Sequence, residues 1–420
     1  MPELSIRRVR VQILCDEPDA CPVNLLESAG KRTKLLRYVQ PEFRMPSLTV
    51  PQVPRHVAPP PTKENLDYAD LAIIDFAKVH TPEGRAELAL EVRDALSVQG
   101  FFYIINHGLT QHENERIFDI ADVPFNSVPN EEKRLYAADM KGAGSYQGYK
   151  MRSVLHIDNG VLDQLEHYNT DSHRATWMAV NHDIARKKHP KALQTLMPEI
   201  ESFIKFNHFE VLHNILRLLA IGLELPEETF VDQHKFDVLG ESYGKTETAL
   251  IYYPRTEEDE EKTKNVWLKG HTDLGSVTIL WSQPISALQI LCSDGKWRWV
   301  KHIDNAVVVN SGDAMDFLSG GFYKCTIHRV VQPPPDQRGL TRLGIFYFAM
   351  PHDDVKLVPR LDSPVLQRVG VKRRCSDDRA PTMESWRQGR VRMYGFVQLK
   401  KREDGNEETI VDGLPVTFFN

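Results

Sequence analysis

The stretch Leu268-Lys-Gly-His-Thr-Asp-Leu-Gly-Ser-Val-Thr-Ile-Leu280 determines which fold we expect for this chain, because it sets His271 and Asp273 two residues apart in a β-rich context. Successive side chains of an extended strand point to opposite faces, so these two share one face and the residue between them points away. A second strand-like stretch, Cys325-Thr-Ile-His-Arg-Val-Val331, carries His328. If the two strands lie side by side, His271, Asp273 and His328 form the two-histidine, one-carboxylate set of non-haem Fe(II) sites.

Short β-rich runs separated by turn residues surround this stretch, and their spacing is typical of a double-sheet jelly roll. The predicted strands are Thr248–Tyr253, His271–Trp281, Leu288–Cys292, Trp297–His302, Ala306–Asn310, Thr326–Val331 and Arg342–Ala349. Earlier in the chain, Leu71–Phe76, Gly84–Val98 and Gly100–Gly108 predict a strand, a helix and a strand. Apolar residues at a period of about 3.6 predict a long scaffold helix within Lys191–Leu225, broken at most once. We therefore expect an α+β protein with a mainly β core, a distorted double-stranded β-helix (jelly roll), preceded by an N-terminal helical region.

Proline marks the boundary between a leader and the folded body. Residues 1–65 end in the proline-rich run Met45–Thr62, whose prolines remove backbone hydrogen-bond donors and disfavour helix, so a partly disordered leader or linker is expected. A strand-helix-strand unit with long helices is expected over residues 66–235, and the jelly-roll core over 236–355. Residues 356–420 are expected to form a C-terminal extension that packs on the core.

Composition and charge exclude several classes of protein. The net charge is −6, and the 52 basic residues are spread along the chain, so no nucleic-acid partner is expected. Five cysteines, an odd and sparse set without metal-site spacing, indicate a reducing and therefore cytoplasmic compartment. The start has no apolar run of signal-peptide length, and no segment reaches the roughly 18 apolar residues of a membrane span. We expect a small-molecule substrate, no membrane association and an oligomeric state that the sequence does not define.

The proposed metal site gains weight from the coincidence of several motifs. A His-x-Asp pair alone is weak evidence, since such pairs arise by chance and a single core histidine is usually structural. Here His271 and Asp273 coincide with His328 in a second strand and with Arg342 at the start of a third. Two neutral imidazoles and one carboxylate leave three positions on Fe(II) for other ligands. A zinc hydrolase can use the same ligands, so the residues by themselves leave the reaction open.

The order of these motifs resembles the isopenicillin N synthase-like group of Fe(II)/2-oxoglutarate-dependent dioxygenases between Tyr68 and Pro351. The matching stretches are Ala72-Ile-Ile-Asp-Phe76, Gly100-Phe-Phe-Tyr-Ile-Ile-Asn-His-Gly108, Ile251-Tyr-Tyr-Pro254, His271-Thr-Asp273, Asn310-Ser-Gly-Asp313, His328-Arg329 and Arg342-Leu-Gly344. The resemblance implies that His271, Asp273 and His328 are the catalytic metal ligands for Fe(II). It also implies that Arg342 anchors the distal carboxylate of 2-oxoglutarate, that Tyr253 helps to hold it, and that O2 is the oxidant.

The implied activity is oxidation of a small organic molecule in specialised metabolism, by hydroxylation, desaturation or ring formation, with release of succinate and CO2. Two departures bear on the co-substrate: Gly344 stands where the family usually has serine, and Ile251 where it usually has asparagine. The alternatives are an Fe(II) oxidase of the same fold that does not use 2-oxoglutarate, and a non-catalytic binding module. Asn310, Gly312 and Asp313 are predicted to be structural turn residues between strands.

Overall fold

The computed structural model describes residues 51–142, 146–170, 189–236, 245–393, 399–403 and 405–419, and for residues 245–247 the backbone alone. Its α-helices are α1 (Pro82–Val98), α2 (Gln111–Asn126), α3 (Asn130–Leu135), α4 (Lys191–Gln194), α5 (Met197–Phe206), α6 (His213–Gly222), α7 (Glu257–Lys262), α8 (Asp313–Leu318), α9 (Pro364–Val369) and α10 (Met383–Met393). Side-chain hydrogen bonds cap the N-termini of the two long helices α1 and α2. Thr81 accepts a hydrogen bond from the backbone of Gly84 to cap α1, and Thr110 and Glu113 form a reciprocal capping box on α2.

Most of the strands pair into two sheets. They are β1 (Ile73–Asp75), β2 (Phe101–Ile105), β3 (Gly148–Lys150), β4 (His156–Asp158), β5 (Val161–Leu162), β6 (Leu165–Thr170), β7 (Lys245–Tyr252), β8 (Val266–His271), β9 (Val277–Trp281), β10 (Leu288–Leu291), β11 (Trp297–Trp299), β12 (Val307–Ser311), β13 (His328–Val331), β14 (Arg342–Ala349), β15 (Lys400–Lys401), β16 (Glu407–Val411) and β17 (Leu414–Phe418). Within the described residues, the large sheet has the order β1-β2-β12-β9-β14-β7-β6-β3, and the small sheet has the order β11-β10-β13-β8. The jelly-roll core predicted from the sequence is confirmed.

The two faces of the large sheet have different partners, as alternation along β14 shows. Leu343, Ile345 and Tyr347 are buried in one apolar cluster with residues of α1, α5 and α6. Arg342 and Phe346, on the opposite face, line a cavity that the small sheet closes from the other side. Burying each large apolar side chain stabilises the fold by about 1.5–3 kcal/mol. The helical layer therefore supports the sheet from behind and leaves its inner face available for chemistry.

Several elements differ from those expected. The single strand predicted over His271–Trp281 is two strands, β8 and β9, separated by residues 272–276, so Asp273 lies in a loop. The scaffold helix consists of α4, α5, a π-helical segment (Asn207–Leu212) and α6. The large sheet also contains β1, β2, β3 and β6, so it extends beyond the residues 236–355 predicted as the core. Long-range pairing decides sheet membership, and local sequence patterns do not reveal it.

Both ends of the described chain contact the core. Residues 1–50 of the predicted leader lie outside the described residues, but the segment that follows is hydrogen-bonded to the body. Arg116 donates to the carbonyl of Pro51 (2.8 Å), and Gln337 donates to that of Pro60 (2.9 Å). In the C-terminal extension, Phe419 and Gly270 exchange backbone hydrogen bonds of 2.7 and 2.8 Å. A Cβ on Gly270 would lie 2.8 Å from that of Phe419, so this approach requires glycine. None of the helices in the described stretches is long and apolar enough to cross a membrane.

Candidate metal and co-substrate site

Three predicted ligands converge at one end of the cavity. His271 ends β8 and His328 begins β13, and the antiparallel register places them directly opposite each other. From Asp273 Oδ1, His271 Nε2 lies at 3.8 Å and His328 Nε2 at 3.6 Å. A single ion about 2.1 Å from each atom can bridge such distances. No other group of three histidine, cysteine or acidic side chains converges in this way within the described part of the chain.

The other polar atoms of both histidines are already engaged. His271 Nδ1 lies 2.8 Å from the carbonyl oxygen of Lys269, and His328 Nδ1 lies 3.2 Å from that of Thr326. A carbonyl can only accept a hydrogen bond, so each Nδ1 carries the proton and each Nε2 keeps its lone pair. Burial first, and then the neighbouring His328, lowers the pKa of His271 to about 4. The Nε2 atoms of both rings thus face Asp273 and are not used by another hydrogen bond, which is the arrangement that a metal ion requires.

The Asp273 carboxylate is oriented by two donors on the large sheet. Its Oδ2 accepts hydrogen bonds from Thr278 Oγ1 (2.6 Å) and Asn310 Nδ2 (2.8 Å), which leaves Oδ1 facing the histidines. Burial by itself raises the pKa of this carboxyl. His328, His271 and the two hydrogen bonds outweigh it, so the pKa lies below its usual value. Asn310 lies in β12, and the expectation that it is only a turn residue is corrected, because pairing with β9 brings it beside Asp273.

A buried ion pair fixes the loop that carries Asp273. The backbone N–H of Asp313 donates to the carbonyl of Asp273 (2.7 Å), and the side chain of Asp313 accepts from the hydroxyl of Thr272 (2.9 Å). Arg390, on α10, donates to the other carboxylate oxygen of Asp313 and to the carbonyl of Thr272 (2.8 Å). No sequence pattern indicated this contact, which joins the C-terminal extension to the metal-binding loop. Asp313 begins α8 instead of closing a turn between strands.

Arg342 lies within the cavity and has unpaired donors. Its side chain is fully buried, and Nε and Nη1 have no hydrogen-bond partner in the described structure. The ring of Tyr252 lies 5.6 Å from its guanidinium carbon. Burial lowers the pKa of Arg342, although Tyr252 opposes this shift. An uncompensated buried guanidinium is costly, and a carboxylate is the group whose geometry satisfies it best. Arg342 thus has unpaired donors that a carboxylate, such as the distal one of 2-oxoglutarate, would satisfy.

Tyr252, and not Tyr253, faces the cavity. The cavity-lining residues of β7 are Thr248, Leu250 and Tyr252, at alternate positions. Tyr253 points away, and the guanidinium of Arg152 stacks 4.4 Å from its ring centroid. Tyr253, predicted to help hold the co-substrate, does not line the cavity, whereas Tyr252 does, because a shift of one residue along a strand moves a side chain to the opposite face.

The residue at the usual serine position, Gly344, lies under an aromatic ring. A Cβ added to Gly344 would lie 2.8 Å from Cε2 of Phe346, two residues further along the same face of β14. The Phe346 ring thus occupies the space that a serine side chain would need. In this chain the wall beside Arg342 is apolar where the family pattern supplies a hydroxyl.

The cavity itself has a volume of about 180 Å³. Its walls combine the three proposed ligands and Arg342 with mostly apolar side chains from both sheets and from the C-terminal extension, among them Phe348, Met350, Met393 and Phe418. Tyr146, from the predicted Gly- and Tyr-rich loop Gly142–Lys150, also lines it; residues 143–145 of that loop lie outside the described residues. Polar groups concentrated at one end of an apolar cavity are typical of a small-molecule site.

Comparison with known proteins agrees with this geometry. Residues 247–351 match the family model of the 2OG-Fe(II) oxygenase superfamily, and residues 71–194 match the model of the N-terminal region of non-haem dioxygenases in morphine synthesis. The 2-oxoglutarate-Fe(II) type oxidoreductase hxnY of Emericella nidulans is 27% identical over 289 residues, covering 66% of this chain and 78% of that protein. Jasmonate-induced oxygenase 3 of Arabidopsis thaliana is 27% identical over 342 residues, or 79% of this chain and 84% of that protein.

Solved structures share the same fold. A full-length Neurospora crassa protein in complex with alpha-KG superposes with a TM-score of 0.62 at 21% identity, over 76% of this chain and 95% of that one. JOX2 in complex with 2OG, Fe and JA gives a TM-score of 0.60 at 21% identity, over 80% of this chain and 89% of that one. At this level of identity the likeness concerns the fold.

Proposed function

Since the chain belongs to the 2-oxoglutarate–Fe(II) oxygenase superfamily, we propose that it is an Fe(II)- and 2-oxoglutarate-dependent dioxygenase that oxidises a small organic molecule. The reaction is a hydroxylation, a desaturation or a ring formation, and it releases succinate and CO2. We further propose that it is a cytoplasmic enzyme of specialised metabolism, within the isopenicillin N synthase-like group. The cysteine pattern and the motif order support these finer assignments.

His271, Asp273 and His328 are proposed to hold Fe(II). The observation that carries this assignment is that the three free ligand atoms face one another while every other polar atom of these side chains is hydrogen-bonded. Such engagement fixes the orientation of each ligand before the metal binds, and it favours the correct histidine tautomers. Bound Fe(II) supplies the redox chemistry that couples the reduction of O2 to oxidation of 2-oxoglutarate and of the substrate.

Arg342 is proposed to bind the distal carboxylate of 2-oxoglutarate. Its guanidinium has unpaired donors on both edges, Nε on one and Nη1 on the other, and the apolar surroundings strengthen a charge-assisted hydrogen bond from such a donor to a carboxylate oxygen. Tyr252 lies beside the guanidinium and keeps that part of the cavity shielded from water. Anchoring the distal end at Arg342 leaves the opposite end of the co-substrate to approach the three metal ligands, which line the same cavity.

The apolar walls of the cavity are proposed to position the substrate. Phe346 and Phe348 stack with parallel rings whose centroids are 5.6 Å apart, and they form one wall. Met393 and Phe418, from the C-terminal extension, also line the cavity. An apolar lining excludes water and holds the carbon that is to be oxidised near the metal ligands.

The alternative, an Fe(II) oxidase of the same fold that does not use 2-oxoglutarate, draws its support from the absent hydroxyl at Gly344. Succinate formation decides between the two. With Fe(II), O2 and a substrate found by screening, we expect one succinate for each oxidised product. Arg342→Ala should raise the 2-oxoglutarate concentration needed for half-maximal rate by roughly 10- to 100-fold, since a hydrogen bond to a charged group contributes about 1.5–3 kcal/mol.

Arg338→Ala, at an exposed arginine nearby, is the matched control and should leave that requirement unchanged. Substrate oxidation without succinate would support the oxidase instead. An unchanged 2-oxoglutarate requirement in Arg342→Ala would show that Arg342 is not the anchor.

A further inference from the structure

Strand β6 contributes a row of side chains to the cavity wall. Neither metal binding nor 2-oxoglutarate binding accounts for the polar residues in this row. Leu165, His167 and Asn169 alternate along this strand and line the cavity. His167 and Asn169 are both buried, with 7% and 2% of their surface exposed. Polar side chains buried at such positions cost stability unless something satisfies them. The polar pair on this wall therefore needs an explanation.

A chain of hydrogen bonds fixes the tautomer of His167. Asn169 Nδ2 donates to the backbone carbonyl of Tyr146 (2.6 Å), which identifies the nitrogen side of the amide, and Asn169 Oδ1 accepts from the hydroxyl of Thr248. The same Nδ2 lies 3.0 Å from His167 Nδ1. An amide nitrogen only donates, so Nδ1 accepts and the proton of the ring must be on Nε2. His167 is thereby held as a donor.

That donor has no hydrogen-bond partner among the described residues. His167 Nε2 is buried and makes no hydrogen bond in the described structure. Among the described residues that line the cavity, the side chains with buried unpaired atoms are Arg342 and His167. Burial first, and then the charge of Lys150, lowers the pKa of His167 to about 3, so the ring is neutral. A neutral N–H suits an uncharged acceptor.

Strand register separates His167 from the co-substrate anchor. Leu165 pairs with Tyr252, which pairs with Arg342, whereas His167 pairs with Leu250, which pairs with Gly344. Leu165, Tyr252 and Arg342 thus form one row across β6, β7 and β14, and His167 lies two residues further along β6, at the next position that faces the cavity. Two strand spacings, about 9–10 Å, separate the backbone at His167 from the backbone of β14. Neither Leu250 nor Gly344, which lie between, carries a polar side chain. The donor consequently faces the part of the cavity that is left for the substrate.

We propose that His167 is a specificity-determining residue whose Nε2–H donates a hydrogen bond to an uncharged oxygen of the substrate. Asn169, itself held by Thr248, orients the ring of His167 and fixes its tautomer. The substrate class is an otherwise apolar small molecule that carries a carbonyl oxygen, because the neighbouring walls are aromatic and aliphatic. This proposal rests on the proposed function, which supplies the metal and co-substrate side of the same cavity.

A matched pair of probes tests the donor directly. 1-Tetralone and tetralin share one bicyclic apolar skeleton and differ in a single carbonyl oxygen. Binding of each is measured anaerobically, by calorimetry or ligand-detected NMR, to the protein loaded with Fe(II) and 2-oxoglutarate. We expect wild-type protein to bind 1-tetralone about tenfold more tightly than tetralin, since satisfying a buried donor contributes about 1–3 kcal/mol.

Two variants assign this preference to His167. His167→Phe keeps a planar ring but removes the donor, and it should reduce the preference to less than about threefold. His167→Gln retains an N–H donor and should keep most of the preference. The proposal is overturned if wild-type protein shows no preference, if the preference survives in His167→Phe, or if that variant weakens 2-oxoglutarate binding instead. The wild-type comparison requires no variant, so its outcome counts even if a substitution prevents folding.

Failure of the proposed function is distinguishable from failure of this inference. The charge-transfer absorption of the Fe(II)–2-oxoglutarate complex is recorded in the same samples, and it should be equal in wild-type protein and both variants. If it is absent from wild-type protein, the co-substrate assignment fails, and probe selectivity can still be measured without the metal.

Discussion

Replacing Asn310 with alanine tests how the protein prepares Asp273 for metal binding. The substitution removes one of the two hydrogen bonds on Asp273 Oδ2 and leaves the one from Thr278. A hydrogen bond to a charged group contributes about 1.5–3 kcal/mol, and about 1.4 kcal/mol corresponds to a tenfold change in affinity. If the bond serves to orient the carboxylate, we expect the dissociation constant of Fe(II) to rise by roughly 10- to 100-fold, as is typical for groups that support metal ligands.

The assay is an anaerobic Fe(II) titration with a competing chelator, alongside circular dichroism to verify the fold. Asn126→Ala is the matched control, because Asn126 Nδ2 also donates to a carboxylate, that of Asp122 at 2.8 Å, but on an exposed helix end. We expect this control to bind Fe(II) like the wild-type protein. A folded Asn310→Ala variant whose Fe(II) affinity lies within about twofold of wild type would mean that the hydrogen bond does not orient a metal ligand.

Alanine at any one of the three proposed ligands, Asp273 included, should abolish turnover and weaken Fe(II) binding with little change in circular dichroism. Gly344→Ser alone should not improve 2-oxoglutarate binding, because the Phe346 ring occupies the space for the new side chain; the double variant with Phe346→Val should bind 2-oxoglutarate more tightly than Phe346→Val alone, as calorimetry can measure. Arg390→Ala should lower the thermal unfolding midpoint, since it removes one cation of a buried ion pair, although Arg374 still lies 3.2 Å from Asp313. Arg392 is exposed on the same helix, so Arg392→Ala is the control and should leave the midpoint unchanged. Equal midpoints for the two variants would contradict the role of Arg390.

Local sequence patterns were sufficient for the parts of the site that depend on a strand and its alternation. His271 and Asp273 are close in sequence, His328 lies within a β-rich run and Arg342 begins another, so their types and contexts pointed to one cavity. The corresponding strands are present, and the cavity between the sheets contains all four residues. What could be predicted was therefore the identity of the groups that converge.

The remaining features depend on register and on distant contacts. Tyr252 and Tyr253 are identical as residue types, and only pairing with β14 shows which of them lies beside Arg342. Asn310 reaches Asp273 because β12 pairs with β9, and Arg390 comes from an extension with no strand pattern of its own. A slip of one residue reverses the face of a side chain, so sequence alone cannot assign such roles.

The proposed Fe(II)–2-oxoglutarate site can be tested by an anaerobic titration of the protein with Fe(II) and 2-oxoglutarate, followed by visible absorption. We expect a charge-transfer band that requires both additions, saturates at one Fe(II) per chain, and is lost in Asp273→Ala. A wild-type protein that binds Fe(II) without developing the band, or an Asp273→Ala variant that retains it in full, would contradict the assignment of this cavity.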